Sequence, residues 1–334
     1  MVFKKFDRNC LRFLPLAQRR HKMSLADIKP LGYPIGKVLA GRADLRKIRH
    51  DLKKLAQRTV MAWEAGHPVV WLMGAHVLRA GNSRFIIDLM RRGIITHLAA
   101  NMAAAIHDFE LALIGATLED VEVYIIDGKF GHWQEAGKYL NRAAARGYKD
   151  GIGLGEAVGR MMASAKVKTM PHKNISIFAA AYELDIPATI HKGIGCDITD
   201  KHPSADFAAL GQTSGDDFLL LTQTITQLEG GVFLNLGSAV MGPEVYLKAL
   251  SMARNLAVQE EREIRHFTTG VFDLVPLGNW RREPKIVDYR ATGAMDNPRY
   301  YFRPLKSLLI RTVKDGGQSF YIPGRFEETI PLFY

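Results

Sequence analysis

Apolar side chains recur at three- to five-residue spacings between residues 43 and 65 (Leu45, Ile48, Leu52, Leu55, Val60, Trp63), with Lys and Arg between them and Gly66 closing the run. That pattern predicts an amphipathic helix with a glycine stop. Pro68-Val-Val-Trp-Leu-Met73 then reads as a buried strand, because it is a short, continuous apolar run opening after a breaker. The alternation continues. Helices are expected at about 83–92, 103–114, 175–184, 218–228 and 243–255. Strands are expected at 94–99, 186–190, 231–236 and 266–272, and residues 117–165 read as a helical insertion.

Short apolar strand, glycine-containing loop and amphipathic helix in succession are the mark of βαβ units. The expected fold class is therefore α/β, a parallel sheet flanked by helices, in one domain over residues 23–280. The segment from residue 281 to 334 is rich in Arg, Tyr and Pro and weakly periodic. It is expected as a basic tail packing on the domain or on a neighbouring subunit.

Composition changes this picture in two places. The 334 residues carry a formal charge of +11, which by itself suggests nucleic acid as a partner. The excess is terminal, however: +6 in residues 1–22, +4 in residues 280–334 and only +1 in the body. Nucleic-acid binding is therefore not expected. Residues 1–22 are expected as a disordered basic arm, a targeting peptide or a leader upstream of Met23. Two cysteines, Cys10 and Cys196, cannot build a disulfide framework and suit a reducing, cytoplasmic compartment. No apolar run approaches the ~18 residues that span a bilayer.

Ligands of open parallel sheets bind at the carboxyl ends of strands, so four loops are candidates. In Gly74-Ala75-His76-Val-Leu-Arg-Ala-Gly81, small residues would let backbone N–H groups approach a phosphate; a tight strand-to-helix turn explains them equally. Asn101 through Glu110 puts His107 and Asp108 in the first turns of a helix, where the macrodipole favours the acid and leaves the imidazole unexplained. His191-Lys-Gly-Ile-Gly-Cys-Asp197-Ile-Thr-Asp200-Lys-His202 clusters imidazoles, carboxylates and a thiol. It would suit a cationic substrate, acid–base chemistry or a metal, or be a solvated loop closed by a Ser204 cap; the spacing matches no zinc motif. Gly237-Ser238-Ala-Val-Met-Gly-Pro-Glu244 offers a hydroxyl to a phosphate or carboxylate, with Glu244 again explicable by the dipole.

The order of these motifs resembles the deoxyhypusine synthase superfamily, in particular its divergent bacterial members, over roughly residues 32–275. The resemblance implies a Rossmann-like sheet, NAD as cofactor and a homotetramer. It implies that Gly74, Ala75, His76, Gly81, Asn101, Asp108, Gly237 and Ser238 line the cofactor site. On the same basis His191, Asp197 and Asp200 meet an amine or polyamine-like substrate, and His107, His202 and Glu244 do the catalysis, no resident metal being implied. The family's Trp-Gly-Lys segment has no counterpart: Trp280 is followed by Arg281-Arg282, with Lys285 beyond. Aminobutyl transfer to a protein lysine is thus not expected. Three readings follow: an NAD-dependent transferase or oxidoreductase of a small amine, a metal-assisted or acid–base hydrolase using His191, Asp197, Asp200 and His202, or a binding protein with basic ends.

Overall fold

A computed structural model describes residues 3–36, 43–281 and 301–334, with side chains in the second stretch from Ile48 onward. The Leu45 side chain, Arg282 and Lys285 lie outside the described residues. Strands β1 (Met23–Ser24) and β4 (Ala116–Thr117) pair as a small antiparallel ribbon. Six others form one all-parallel sheet: β2 (Val69–Met73), β3 (His97–Asn101), β5 (Ala188–His191), β6 (Val232–Leu236), β7 (Thr268–Asp273) and β8 (Gln318–Pro323). Their spatial order is β5-β3-β2-β6-β7-β8. Counted along the chain within this sheet, that is 3-2-1-4-5-6, the Rossmann order. The protein is an α/β fold of Rossmann type.

Register decides which side chains share a face. Trp71, Leu234, Gly270 and Phe320 are aligned on one, and Val70, Phe233, Thr269 and Ser319 on the other. The first face is covered by α1 (Ala43–Glu64) and by a C-terminal helix (Phe326–Phe333); Leu55 and Ile330 join its core. The second packs on α9 (Phe207–Ile225), α10 (Met241–Gln259) and a π-helical turn (Leu305–Arg311). With both faces covered, a strand such as β2 must be apolar at every position, and all five of its residues are buried. Between β2 and β3 lie α2 (His76–Arg79) and α3 (Ser83–Arg91). Helix α4 (Met102–Ile114) follows β3, then α5 (Val121–Ile126), α6 (Gln134–Asp150), α7 (Leu154–Ala163) and α8 (Ile177–Glu183). The C-terminal helix is α11.

Three expectations are corrected. The strand expected at 94–99 starts only at His97, because Ile94 and Ile95 donate backward to the Leu89 carbonyl to close α3. The Thr96 hydroxyl takes the place of a ladder group by accepting from the Val69 N–H at 2.9 Å. The helix expected from residue 218 begins at Phe207, where the Asp206 carboxylate accepts from the Ala208 and Ala209 N–H groups. The third correction is larger. The tail expected to pack on the domain is in part built into it: residues 318–323 form the sixth strand, pairing with β7 and burying Phe320, Tyr321 and Ile322.

The basic N-terminal residues are likewise seated on the body. Leu16 is fully buried. Arg8 donates to the carbonyls of Asp200, His202 and Ala205. Arg19 makes two bonds to the Glu110 carboxylate, at 2.9 and 2.5 Å, with both side chains almost completely buried. Arg19 is thus buried and Arg8 half-buried, while Lys4, Lys5, Arg12, Arg20 and Lys22 stay exposed.

Candidate functional site

Strand order reverses between β2 and β6, and the crevice at such a point, beyond the carboxyl ends of the strands, is where Rossmann sheets take ligands. Two glycines meet there. The Gly74 N–H donates to the Leu236 carbonyl at 2.9 Å, and a side chain on Gly74 would collide with the Gly237 carbonyl. Gly237 has φ +66, and a Cβ on it would meet the Phe326 ring at 2.6 Å. Only glycine allows the two loops this separation.

Beyond Gly237 the chain turns into α10. The Ser238 hydroxyl accepts from the Gly242 N–H at 2.8 Å, while the Asn235 amide donates to the Ser238 carbonyl at 2.9 Å. This holds the loop open, and among the described residues the N–H groups of Ser238, Ala239 and Val240 find no protein acceptor. They sit at the positive end of a 19-residue helix, with Ala239 and Val240 exposed to solvent.

A second polar cluster lies between α4 and the β1–β4 ribbon. His107 Nδ1 is 2.6 Å from the Thr117 hydroxyl, which in turn donates to Glu110 Oε2 at 2.6 Å. Since Thr117 has one proton and gives it to the carboxylate, the pattern assigns the imidazole N–H to Nδ1 and leaves Nε2 as a bare acceptor. Burial lowers the His107 pKa to about 4. The charges of Arg79 and His76 are felt at His107, and Arg79 Nη1 lies 3.1 Å from His76 Nε2. His76, in the helix that follows Gly74, also feels Asp273 at the end of β7; burial, then Arg79, lowers its pKa.

Other expected site residues have structural partners. Asn101 caps its own helix, accepting from the Ala104 N–H at 3.0 Å. Asp108 is fully buried and caps α8 instead, accepting from the Ser176 hydroxyl at 2.6 Å and the Ile177 N–H at 2.9 Å. Its pKa rises to about 6 because desolvation outweighs those bonds. Gly81 presses on the carbonyl of Asp27, away from the crevice.

The loop after β5 lies at the edge of the sheet, separated from β2 by β3. There Lys192, itself buried, reaches Asp197 at 3.0 Å and Asp200 at 2.6 Å. Burial raises the Asp197 pKa against the pull of Lys192. Glu244 is paired with Lys248 and, at 3.5 Å, with Arg303, and its pKa is lowered chiefly by the hydrogen bond from Lys248. Each carboxylate expected to take an ammonium group is thus held by a cation of the same chain. His191 bonds the Thr189 hydroxyl at 3.1 Å and has its pKa lowered to about 4 by burial. His202 bonds Ser204 at 2.7 Å beneath the Phe13 ring, and burial lowers its pKa as well. No group of three or more His, Cys, Asp and Glu among the described residues is placed to hold a metal ion.

The crevice therefore gathers Gly74, Gly237 and Ser238, with Ala75 and His76 following Gly74 into α2; His107 stands apart on α4. It does not gather His191, Asp197, Asp200 or His202. Arg79 and the Thr117–Glu110 relay went unread in the sequence. Arg79 stands inside the flagged loop 74–81, but Thr117 reaches His107 only through the β1–β4 ribbon.

No protein family and no curated protein matches the chain. Solved structures do. They include the cyanobacterial arginine dihydrolase ArgZ (13% identity, TM-score 0.49, over 86% of this chain and 31% of ArgZ). AgrE, solved with ornithine and NAD+, is similar at 12% identity and TM-score 0.46, over 86% of this chain and 32% of AgrE. A conserved LOR/SDH protein from Methanococcus maripaludis S2 follows at 15% and 0.46, over 96% of this chain and 72% of that one. The chain spans about a third of the length of ArgZ and AgrE. The similarity runs to these proteins and not to deoxyhypusine synthase, which overturns that resemblance together with the transferase and polyamine expectations drawn from it. No described helix is long and apolar enough to cross a membrane.

Proposed function

We propose that this chain is the NAD-binding domain of an enzyme acting on a small molecule. The dinucleotide lies across the β2–β6 crevice, with its diphosphate on the N–H groups of Ser238, Ala239 and Val240. One observation carries the reading: three backbone donors without acceptors among the described residues converge at the start of α10, where the strand order reverses. Anions are favoured at such a place by the free N–H groups and the helix dipole together. Bound NAD supplies hydride transfer. The chain's own part is to seat the diphosphate, to bring the loops together through Gly74 and Gly237, and to offer His107 Nε2 as a proton acceptor backed by Thr117 and Glu110.

Ala239→Glu tests this. The position is exposed, so the fold is retained, while a carboxylate is set where the diphosphate rests. NADH should quench tryptophan fluorescence and raise the melting temperature of the wild type, and the variant should lose both effects. A wild-type melting temperature that does not move with NAD or NADH refutes the reading.

A further inference from the structure

We propose that Arg79, flanked by His76 and His107, seats the carboxylate of a small substrate beside the dinucleotide; the proposal rests on the NAD reading above. Arg79 ends α2, whose Val77 and Leu78 are fully buried and fix the helix on the core. No carboxylate pairs with its guanidinium among the described residues, and its Nε is buried without an acceptor. A buried guanidinium nitrogen with nothing to donate to is costly, because its lost hydration is not returned. Arg19, which shares the cluster, is fully engaged by Glu110. Lys29, whose amine lies on the next carbonyl along the chain, is taken up by Ala80.

Asp273 and Glu327 are felt at His76, and Glu110 at His107. What remains is one guanidinium without a carboxylate among the described residues, beside the imidazoles of His76 and His107, whose pKa values burial lowers. One positive charge balances a carboxylate, whereas a phosphate dianion would bring a second charge with no counterpart. A guanidinium edge also matches the two oxygens of a carboxylate. The bare Nε2 of His107 then faces the rest of the same molecule.

The test is calorimetric titration of the full chain with pyruvate and acetate, with inorganic phosphate and methylamine as comparisons, each with and without NADH. Pyruvate and acetate should bind more tightly than phosphate or methylamine. Arg79→Gln should weaken them about 10- to 100-fold, as expected for lost charge-assisted bonds, with NADH affinity unchanged. Arg79→Lys, which keeps the charge without the fork, should fall between, and circular dichroism confirms that both variants are folded. The proposal is overturned if neither carboxylate binds the wild type, if phosphate or methylamine binds more tightly, or if a folded Arg79→Gln binds as well as the wild type. Carboxylate binding with no NADH binding would support Arg79 as the anion seat and refute the NAD reading, so the two failures are distinct.

Discussion

Replacing Arg19 with Met would leave the Glu110 carboxylate in the protein interior with only the Thr117 hydroxyl as a partner. The two side chains are 2% and 1% exposed, so solvent cannot take over the lost bonds. Breaking a buried pair from one side costs about 3–5 kcal/mol, because an uncompensated charge stays behind. Against a total stability of about 5–15 kcal/mol that is a large share. Urea unfolding followed by circular dichroism would show a lower midpoint with an unchanged slope. The double variant Arg19→Met/Glu110→Leu should regain most of the loss, since neither charge then remains buried. A loss below about 1 kcal/mol for the single variant, the value of an exposed pair, would refute the seating of the N-terminal segment in the core.

Other consequences are as direct. Asp217 accepts from the Gly155 and Ile190 N–H groups through one oxygen, and burial raises its pKa to about 8. The folded protein therefore holds a proton that the unfolded chain releases at lower pH, so this group's contribution is full below pH ~4 and is lost as pH rises through about 8. Asp217→Asn should flatten that decline in urea midpoints between pH 5 and 8. Gly242→Ala puts a methyl 2.5 Å from Leu72 Cδ2 and 2.9 Å from Ser238 Cβ; it should cost about 1–3 kcal/mol and weaken NADH binding by moving the start of α10. Ile322→Ala, at a fully buried position in β8, should cost about 2–5 kcal/mol in the same unfolding assay, and a cost near zero would remove β8 from the core.

What the sequence by itself determined is the alternation of elements. The runs Val69–Met73 and Val232–Leu236 are apolar at almost every position because both faces of the sheet are covered, and that signal is local. The α/β class and the inspection of loops 74–81 and 237–244 followed from it. Strand β8 was hidden because Gln318 and Ser319 open it polar at the sheet edge, inside a tail whose Arg and Tyr content pointed to the surface. Asp108, Asp197, Asp200 and Glu244 read as functional because a carboxylate's partner cannot be seen in one dimension. Ser176 lies 68 residues from Asp108, and it turns a candidate ligand into a helix cap. The same distance in sequence hid Arg19 behind a net charge, when its partner is Glu110, 91 residues on. Tertiary structure alone decided which charges are paired and that Arg79 has no carboxylate partner among the described residues, because pairing depends on approach in space and desolvation, and neither has a local signature in the chain.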